Sequence, residues 1–274
     1  MTYRNTLLCA LLLAGCGGAS TGATTTTPDT TDTAAAAPSL EAVIAGEHRA
    51  EENRARDRYR HPRETLEFFG LEPTMTVIEM GPGGGWYTEI LAPFLREQGR
   101  LIAAAPDPSS EYGQRFDAFL ATNPELYDRV ERVTFAPPDS ISLGPDASAD
   151  MVVTFRSTHG WINRDQAAAV YQAMFNVLKP GGVLGVVQHR GPEGVDTESG
   201  YVPEATVIQI AEAAGFVLEE RSEINANPAD DHDHPEGVWS LLPTLRGDDA
   251  DRAEREAIGE SDRMTLRFRK PAAE

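Results

Sequence analysis

The sequence predicts a doubly wound α/β fold, with seven strands in a mostly parallel sheet and helices on both faces. Three observations carry this reading. Strand-like and helix-like segments alternate from residue 75 to residue 224. Residues 183–188 (VLGVVQ) lack the polar alternation of a half-exposed strand, as parallel strands covered on both faces do. A run of glycines follows the first strand directly and opens a helix.

The elements follow in order. Residues 39–60 read as a helix capped by Ser39, with apolar points at Leu40, Val43 and Ile44, and His61-Pro62 ends it. The arginines of residues 49–63 are interleaved with Glu and Asp, so a solvated helix face is expected there rather than a ligand-covering lid. Residues 76–80 form the first strand and residues 86–95 the helix after the glycines. Residues 101–104 are a strand, 112–120 a helix, and 130–135 and 151–155 two more strands. Residues 164–178 are a helix stopped by Lys179-Pro180-Gly181-Gly182, after which 183–188 are a buried strand. Residues 204–214 are a helix closed by Gly215, and 216–224 and 264–268 are the last two strands. The long polar segment 225–263 is expected to hold short elements or a substrate-covering loop, with Glu260-Ser261-Asp262-Arg263 as a turn with an ion pair.

Composition narrows the function. The chain has 274 residues, 43 acids against 24 bases and a formal net charge of −19. Nucleic acid is not an expected partner, because phosphate binding needs clustered bases and the overall charge opposes it. All bases but Lys179 and Lys270 are arginine. Cys9 and Cys16 are the only cysteines, so the folded part has no disulfide framework, cysteine zinc site or cysteine nucleophile.

Residues 1–15 read as a signal peptide: Arg4 precedes an apolar run, 7–13, that is far shorter than the ~20 residues of a spanning helix. Leu13-Ala14-Gly15-Cys16 resembles the bacterial lipobox, which implies lipidation of Cys16 after cleavage and anchoring to the cell envelope. Gly17 in place of Asp implies outer-membrane sorting where the host has two membranes. Residues 16–38 contain no large apolar residue and are expected to be a disordered tether. The domain is then 39–274, with an N-terminal helical segment at 39–74, a core at 75–224, a polar cover at 225–263 and a last strand and tail at 264–274.

The strongest local signal is Val77-Ile78-Glu79-Met80-Gly81-Pro82-Gly83-Gly84-Gly85-Trp86. Glycines at 81, 83 and 85 let the backbone turn tightly and a ligand approach it. Trp86 stands where a dinucleotide fingerprint has glycine, which argues against a pyrophosphate site. This motif resembles the first motif of the class I S-adenosylmethionine-dependent methyltransferases, an acid followed by G-x-G-x-G. Three further matches lie in the family's order: Val133 to Ser140 (VTFAPPDS), Ala149-Asp150-Met151-Val152-Val153, and Leu178-Lys179-Pro180-Gly181-Gly182.

The resemblance implies a Rossmann-like sheet whose last strand is antiparallel. It implies S-adenosylmethionine as cofactor, with Gly81, Gly83 and Gly85 against its methionine part, Glu79 ordering the loop and Asp139 near the adenine amino group. The family's acid at the end of strand two falls on Ala105; Asp107, two residues on, either substitutes for it or is a surface residue. Phe155-Arg156-Ser157-Thr158-His159-Gly160-Trp161 is also similar to an F-R-x-x-H-x-W segment in a group of bacterial predicted methyltransferases, a likeness that supplies no substrate.

In an open α/β sheet the site lies beyond the carboxyl ends of the strands. Arg156, His159 and Trp161 follow strand four, and His189 and Arg190 follow strand five, so the two groups are expected to converge. Methyl transfer needs alignment and, for a hydroxyl acceptor, removal of a proton. His159 is the first choice as base and His189 the second, with a hydrogen-bonded structural role as the alternative for each. Arg156 and Arg190 can hold an anionic substrate or pair with acids; Trp161 can be a substrate platform or a core aromatic. Asp230-Asp231-His232-Asp233-His234 offers metal ligands, but they are contiguous in a polar loop, so a solvated or capping loop is expected and no metal is assigned.

Two functions result. One is methyl transfer to a small molecule by a lipid-anchored protein. The other is non-catalytic ligand binding on the same fold, suggested by Ala105 and by an export signal on a protein whose cofactor is made inside the cell.

Overall fold

The computed structural model describes residues 38–272; the predicted signal peptide, Cys16 and the tether up to residue 37 lie outside the described residues. Among the described residues, no helix is long and apolar enough to cross a membrane.

The strands are β1 (Thr76–Met80), β2 (Arg100–Ala105), β3 (Glu131–Thr134), β4 (Ala149–Phe155), β5 (Leu178–Gly191), β6 (Val202–Pro203), β7 (Val217–Ser222) and β8 (Arg263–Arg269). The sheet order is β3-β2-β1-β4-β5-β8-β7. Strands β1 to β5 pair in parallel, and β8 runs antiparallel to both β5 and β7, as the resemblance implies. The eighth strand, β6, is two residues long and pairs with the end of β5, Arg190 opposite Val202. The strand order reverses between β1 and β4, which opens a crevice beyond their carboxyl ends.

The helices are α1 (Leu40–Ile44), α2 (Glu51–Arg54), α3 (Asp57–Arg60), α4 (Pro62–Phe69), α5 (Thr88–Leu95), α6 (Glu111–Ala121), α7 (Pro124–Tyr127), α8 (Thr158–Ile162), α9 (Ala167–Val177), α10 (Glu204–Ala213) and α11 (Arg252–Ile258). Side chains alternate across each strand, so the central strands feed two cores. Val77, Met151, Val153 and Val187 meet Leu66, Phe69, Ile90 and Leu91 of α4 and α5 on one face. Ile78, Val152, Leu184 and Val186 meet Val170, Met174 and Val207 of α9 and α10 on the other.

Two predicted helices are corrected. Residues 39–60 are three short helices, not one. Ser39 does cap α1, its Oγ accepting from Ala42 N at 3.1 Å, but α1 stops before Gly46. The chain then folds so that Arg49 points inward, donating to Ile44 O at 3.0 Å and pairing with Asp57 at 2.7 Å. The expected solvated face is therefore wrong for Arg49 and Arg60, which are 1% and 2% exposed. The helix expected over 164–178 begins at Ala167, because Asp165 takes a left-handed φ of 54° and separates α8 from α9.

Candidate active site

The glycine loop leaves β1 with Gly81 N donating to Ala104 O at 3.0 Å and closes with Gly85 N donating to Pro82 O at 2.9 Å. Gly83 and Gly85 have φ of 58° and 85°, a region side chains disfavour. A Cβ on Gly85 would sit 2.4 Å from the Phe119 ring, whereas one on Gly83 would meet nothing within 4 Å. Gly85 is thus glycine for packing, and Gly83 faces open space. Glu79 is buried, and its Oε2 accepts from Thr88 Oγ1 at 2.7 Å, joining the end of β1 to the start of α5. Burial pushes its pKa up to about 7, with the Thr88 bond working in the opposite direction.

Two cavities meet at Gly81. One of about 320 Å³ is walled by Ala104, Pro106, Phe135, Pro137, Ser157 and Trp161. The other, about 190 Å³, is walled by Asn53, Arg56, Arg60, Glu79, Gly83 and Arg156. A larger cavity of about 510 Å³ lies against Arg100 and Glu131, where β2 and β3 begin, and so at the opposite end of the strands from the crevice.

The predicted residues fall unevenly around these spaces. Ala105 is fully buried at the end of β2, and Asp107 is exposed with its Oδ1 accepting from Ser109 N and Oγ at 2.8 and 2.6 Å, bonds that lower its pKa. Asp139 is exposed in the turn between Ala136 and Ser140, whose backbones pair at 2.8 and 3.0 Å. Trp161 is buried edge-on to Phe135 and Tyr171, so it is a core aromatic that also walls the larger cavity of the pair.

The residues after β4 and β5 converge, with the His159 and His189 rings 6.0 Å apart. His189 Nδ1 is 2.5 Å from Ser261 Oγ. Gln188 is fixed by accepting from Thr158 N at 3.1 Å and donating to Gly200 O at 3.0 Å, which presents its amide N–H to His159 Nδ1 at 3.3 Å. That N–H occupies the His159 Nδ1 lone pair. Burial, and then the charge of Arg156, push the His189 pKa well down; burial also lowers that of His159, against the Gln188 bond. Burial thus favours the neutral form of both imidazoles.

Arg190 takes up the ion-pair alternative: its guanidinium is engaged by Glu223 at 2.7 and 2.9 Å and by Asp262 at 2.8 and 3.1 Å, bonds that raise its pKa and anchor β5 to the cover segment. Arg156 differs. Its φ is 61°, unusual for a residue other than glycine, it walls the smaller cavity, and burial lowers its pKa to about 10 against the charge of Glu260.

The 230–234 loop caps the cover segment. Asp230 accepts from the Tyr201 hydroxyl at 2.8 Å, from His232 N at 3.0 Å, from Asp262 N at 2.7 Å and from His234 Nε2 at 2.9 Å, so its oxygens are satisfied from within.

Sequence reasoning gave Glu260 and Arg263 an ion pair, which the structure contains, but assigned neither them nor Arg56 and Arg60 to the site. Glu260 accepts from Arg56 Nε at 2.7 Å and Arg60 Nε at 3.0 Å and pairs with Arg263 Nη1 at 3.1 Å. Burial raises its pKa, but Arg263, Arg60, Arg56 and Arg156 outweigh that and hold it at about 2. The available clue was Trp86. Arg60 lies over its ring at 4.6 Å and Arg49 at 5.1 Å, and its Nε1 donates to Asn53 O at 3.1 Å.

Residues 78–186 match the family model of a methyltransferase domain. A SAM-dependent methyltransferase from Aquifex aeolicus is similar in structure, with 17% identity, 79% of this chain and 93% of that chain covered, and a TM-score of 0.54. The [4+2]-cyclase SpnF is also similar, with 21% identity, 84% and 86% coverage and a TM-score of 0.56. At these identities the likeness is one of fold. No curated protein sequence matches the chain. The chain thus carries a methyltransferase-type domain in a Rossmann-like sheet.

Proposed function

We propose that this protein transfers a methyl group from S-adenosylmethionine to a small-molecule acceptor. The observation that carries the reading is the glycine loop at the switch point of the sheet, with Gly81 where the two cavities meet and Gly83 facing open space at the smaller one. S-adenosylmethionine supplies a methyl group on a sulfonium. Gly81 and Gly83 receive its methionine part, Gly85 closes the turn against Phe119, Glu79 holds the loop against α5, and Phe135 and Pro137 wall the space on the side where an adenine would lie, with Asp139 in the following turn. Asp107, turned onto Ser109, offers its remaining oxygen to a ribose.

The acceptor's proton goes to an imidazole. Of the two, His189 keeps an acceptor: with Nδ1–H donated to Ser261, its Nε2 is left to accept, whereas Gln188 occupies His159 Nδ1. Calorimetry of residues 39–274 with S-adenosylmethionine tests the reading. Saturable binding is expected, and none at millimolar concentration by folded protein would end it.

On the same reading the enzyme sits on the envelope side of a bacterial membrane, held by a lipid on Cys16, and Leu13-Ala14-Gly15-Cys16 supports this. Cys16→Ser is expected to release the protein from membranes and to stop incorporation of labelled fatty acid. A second reading, ligand binding without turnover, is favoured by Ala105 at the position of the ribose-binding acid, and the cyclase among similar structures illustrates that the fold alone does not fix the reaction. Binding of S-adenosylmethionine without methyl transfer to any acceptor would favour it.

A further inference from the structure

We infer that Arg56, Arg60 and Arg156 form an oxyanion site beside the glycine loop, and that the methyl acceptor is a small molecule bearing a carboxylate or phosphate. The acceptor's role rests on the methyl-transfer reading; the anion site does not.

The three arginines wall the smaller cavity together with Gly83, and Arg263 stands behind them. Glu260 is the one acid bonded to this group among the described residues, so the guanidiniums of Arg56, Arg60 and Arg263 share one carboxylate. Their donors exceed what Glu260 accepts. Nη2 of Arg56 and Nη2 of Arg60 are buried without a hydrogen-bond partner, and the Arg60 side chain is 2% exposed. Arg156 adds a guanidinium that forms no ion pair with a described residue, held by a left-handed backbone whose N–H donates to Val187 O at 2.7 Å. Buried charges and donors left this way are costly, and an anion in the cavity offsets the cost.

The cofactor is a poor counter-ion. Its carboxylate is balanced by its own ammonium group, and its sulfonium adds a positive charge. The second reactant is therefore the one that brings the negative charge. A carboxylate or phosphate presents two or three oxygens that planar guanidinium forks can hold together. Placed there, the anion fixes the acceptor about the glycine loop, where the methyl group is delivered.

Titration calorimetry of the folded domain with inorganic phosphate and with propionate, each with and without saturating S-adenosylhomocysteine, tests this. Saturable binding of at least one anion alongside S-adenosylhomocysteine is expected, and the tighter of the two identifies the acceptor's group. Arg156→Gln is expected to weaken it about tenfold or more, with Arg156→Lys intermediate and Arg115→Gln, on exposed α6, without effect. Arg56→Gln, at a side chain 21% exposed, carries the same expectation if Arg156→Gln fails to fold.

Anion binding by protein that does not bind S-adenosylhomocysteine supports the site and removes the methyl-transfer reading. Binding of S-adenosylhomocysteine with no saturable anion binding overturns the site and leaves that reading standing. Competition between anion and S-adenosylhomocysteine, with Arg156→Gln weakening both, also overturns it, because the arginines would then hold the cofactor's carboxylate.

Discussion

Gly83 and Gly85 share a left-handed backbone but differ in what a side chain would meet. Gly83→Val adds backbone strain of about 1–2 kcal/mol and projects atoms into open space at the cavity, so stability is expected to fall modestly while S-adenosylmethionine binding is lost. Calorimetry paired with thermal unfolding separates the two effects, and a Gly83→Val variant that binds like wild type would show that the loop is not the cofactor site. The histidines make a second contrast. Because burial depresses both pKa values, the neutral base persists to lower pH than a free imidazole. The acid limb of the rate profile is therefore expected below ~6.5, not at it. His189→Ala is expected to lower turnover about 10²–10⁴-fold, more than His159→Ala, with cofactor affinity within a few-fold of wild type. The reverse ranking in single-turnover rates would return the base to His159.

Between residues and the whole molecule stand the elements that bring the N-terminal segment over the sheet. Trp86 does this by receiving Arg49 and Arg60 on its ring and tying its Nε1 to Asn53 O. Trp86→Ala is expected to cost about 3–5 kcal/mol and to loosen α1 to α3, seen as faster proteolysis near residues 46–56. Unchanged protection would mean that the ion pairs of Arg49 and Arg60 suffice. This region also marks where the sequence was legible. The strand, glycine turn and helix from Thr76 to Leu95 were readable because their signals are local: a short apolar run, glycines, then helical spacing. The Ser39 cap was readable for the same reason. The partnership of Arg56 with Glu260 spans 204 positions, and no local pattern encodes it, so an inward-facing cluster read as a solvated helix face and a turn. For Arg190 the sequence left two alternatives open, since the acids that pair with it, Glu223 and Asp262, reach it from elements far along the chain.

At the scale of the whole molecule, an acidic chain of net charge −19 encloses a basic pocket and two buried groups that titrate in opposite senses. His189 binds protons more weakly folded than unfolded, so its neutral burial costs stability as pH falls below ~6.5. Glu79 is the reverse. Its folded pKa of about 7 lies above the value of 4.5 that it has when unperturbed, so the folded protein holds a proton that the unfolded chain releases between those values. The Glu79 contribution is thus fully present below about pH 4.5 and is lost as pH rises through about 7. The difference of about 2.5 pH units corresponds to roughly 3 kcal/mol. Glu79→Gln keeps the shape of the protonated acid, including an atom that can accept from Thr88 Oγ1, and removes the titration. Denaturant unfolding at a series of pH values is therefore expected to show the Glu79→Gln variant gaining on wild type from pH 4.5 to 7 and then running parallel to it. The His189 contribution is common to both proteins and cancels from that difference. A gap between the two curves that does not change with pH would mean that Glu79 is ionised in the fold, and that the buried end of β1 carries a charge facing the glycine loop before any cofactor arrives.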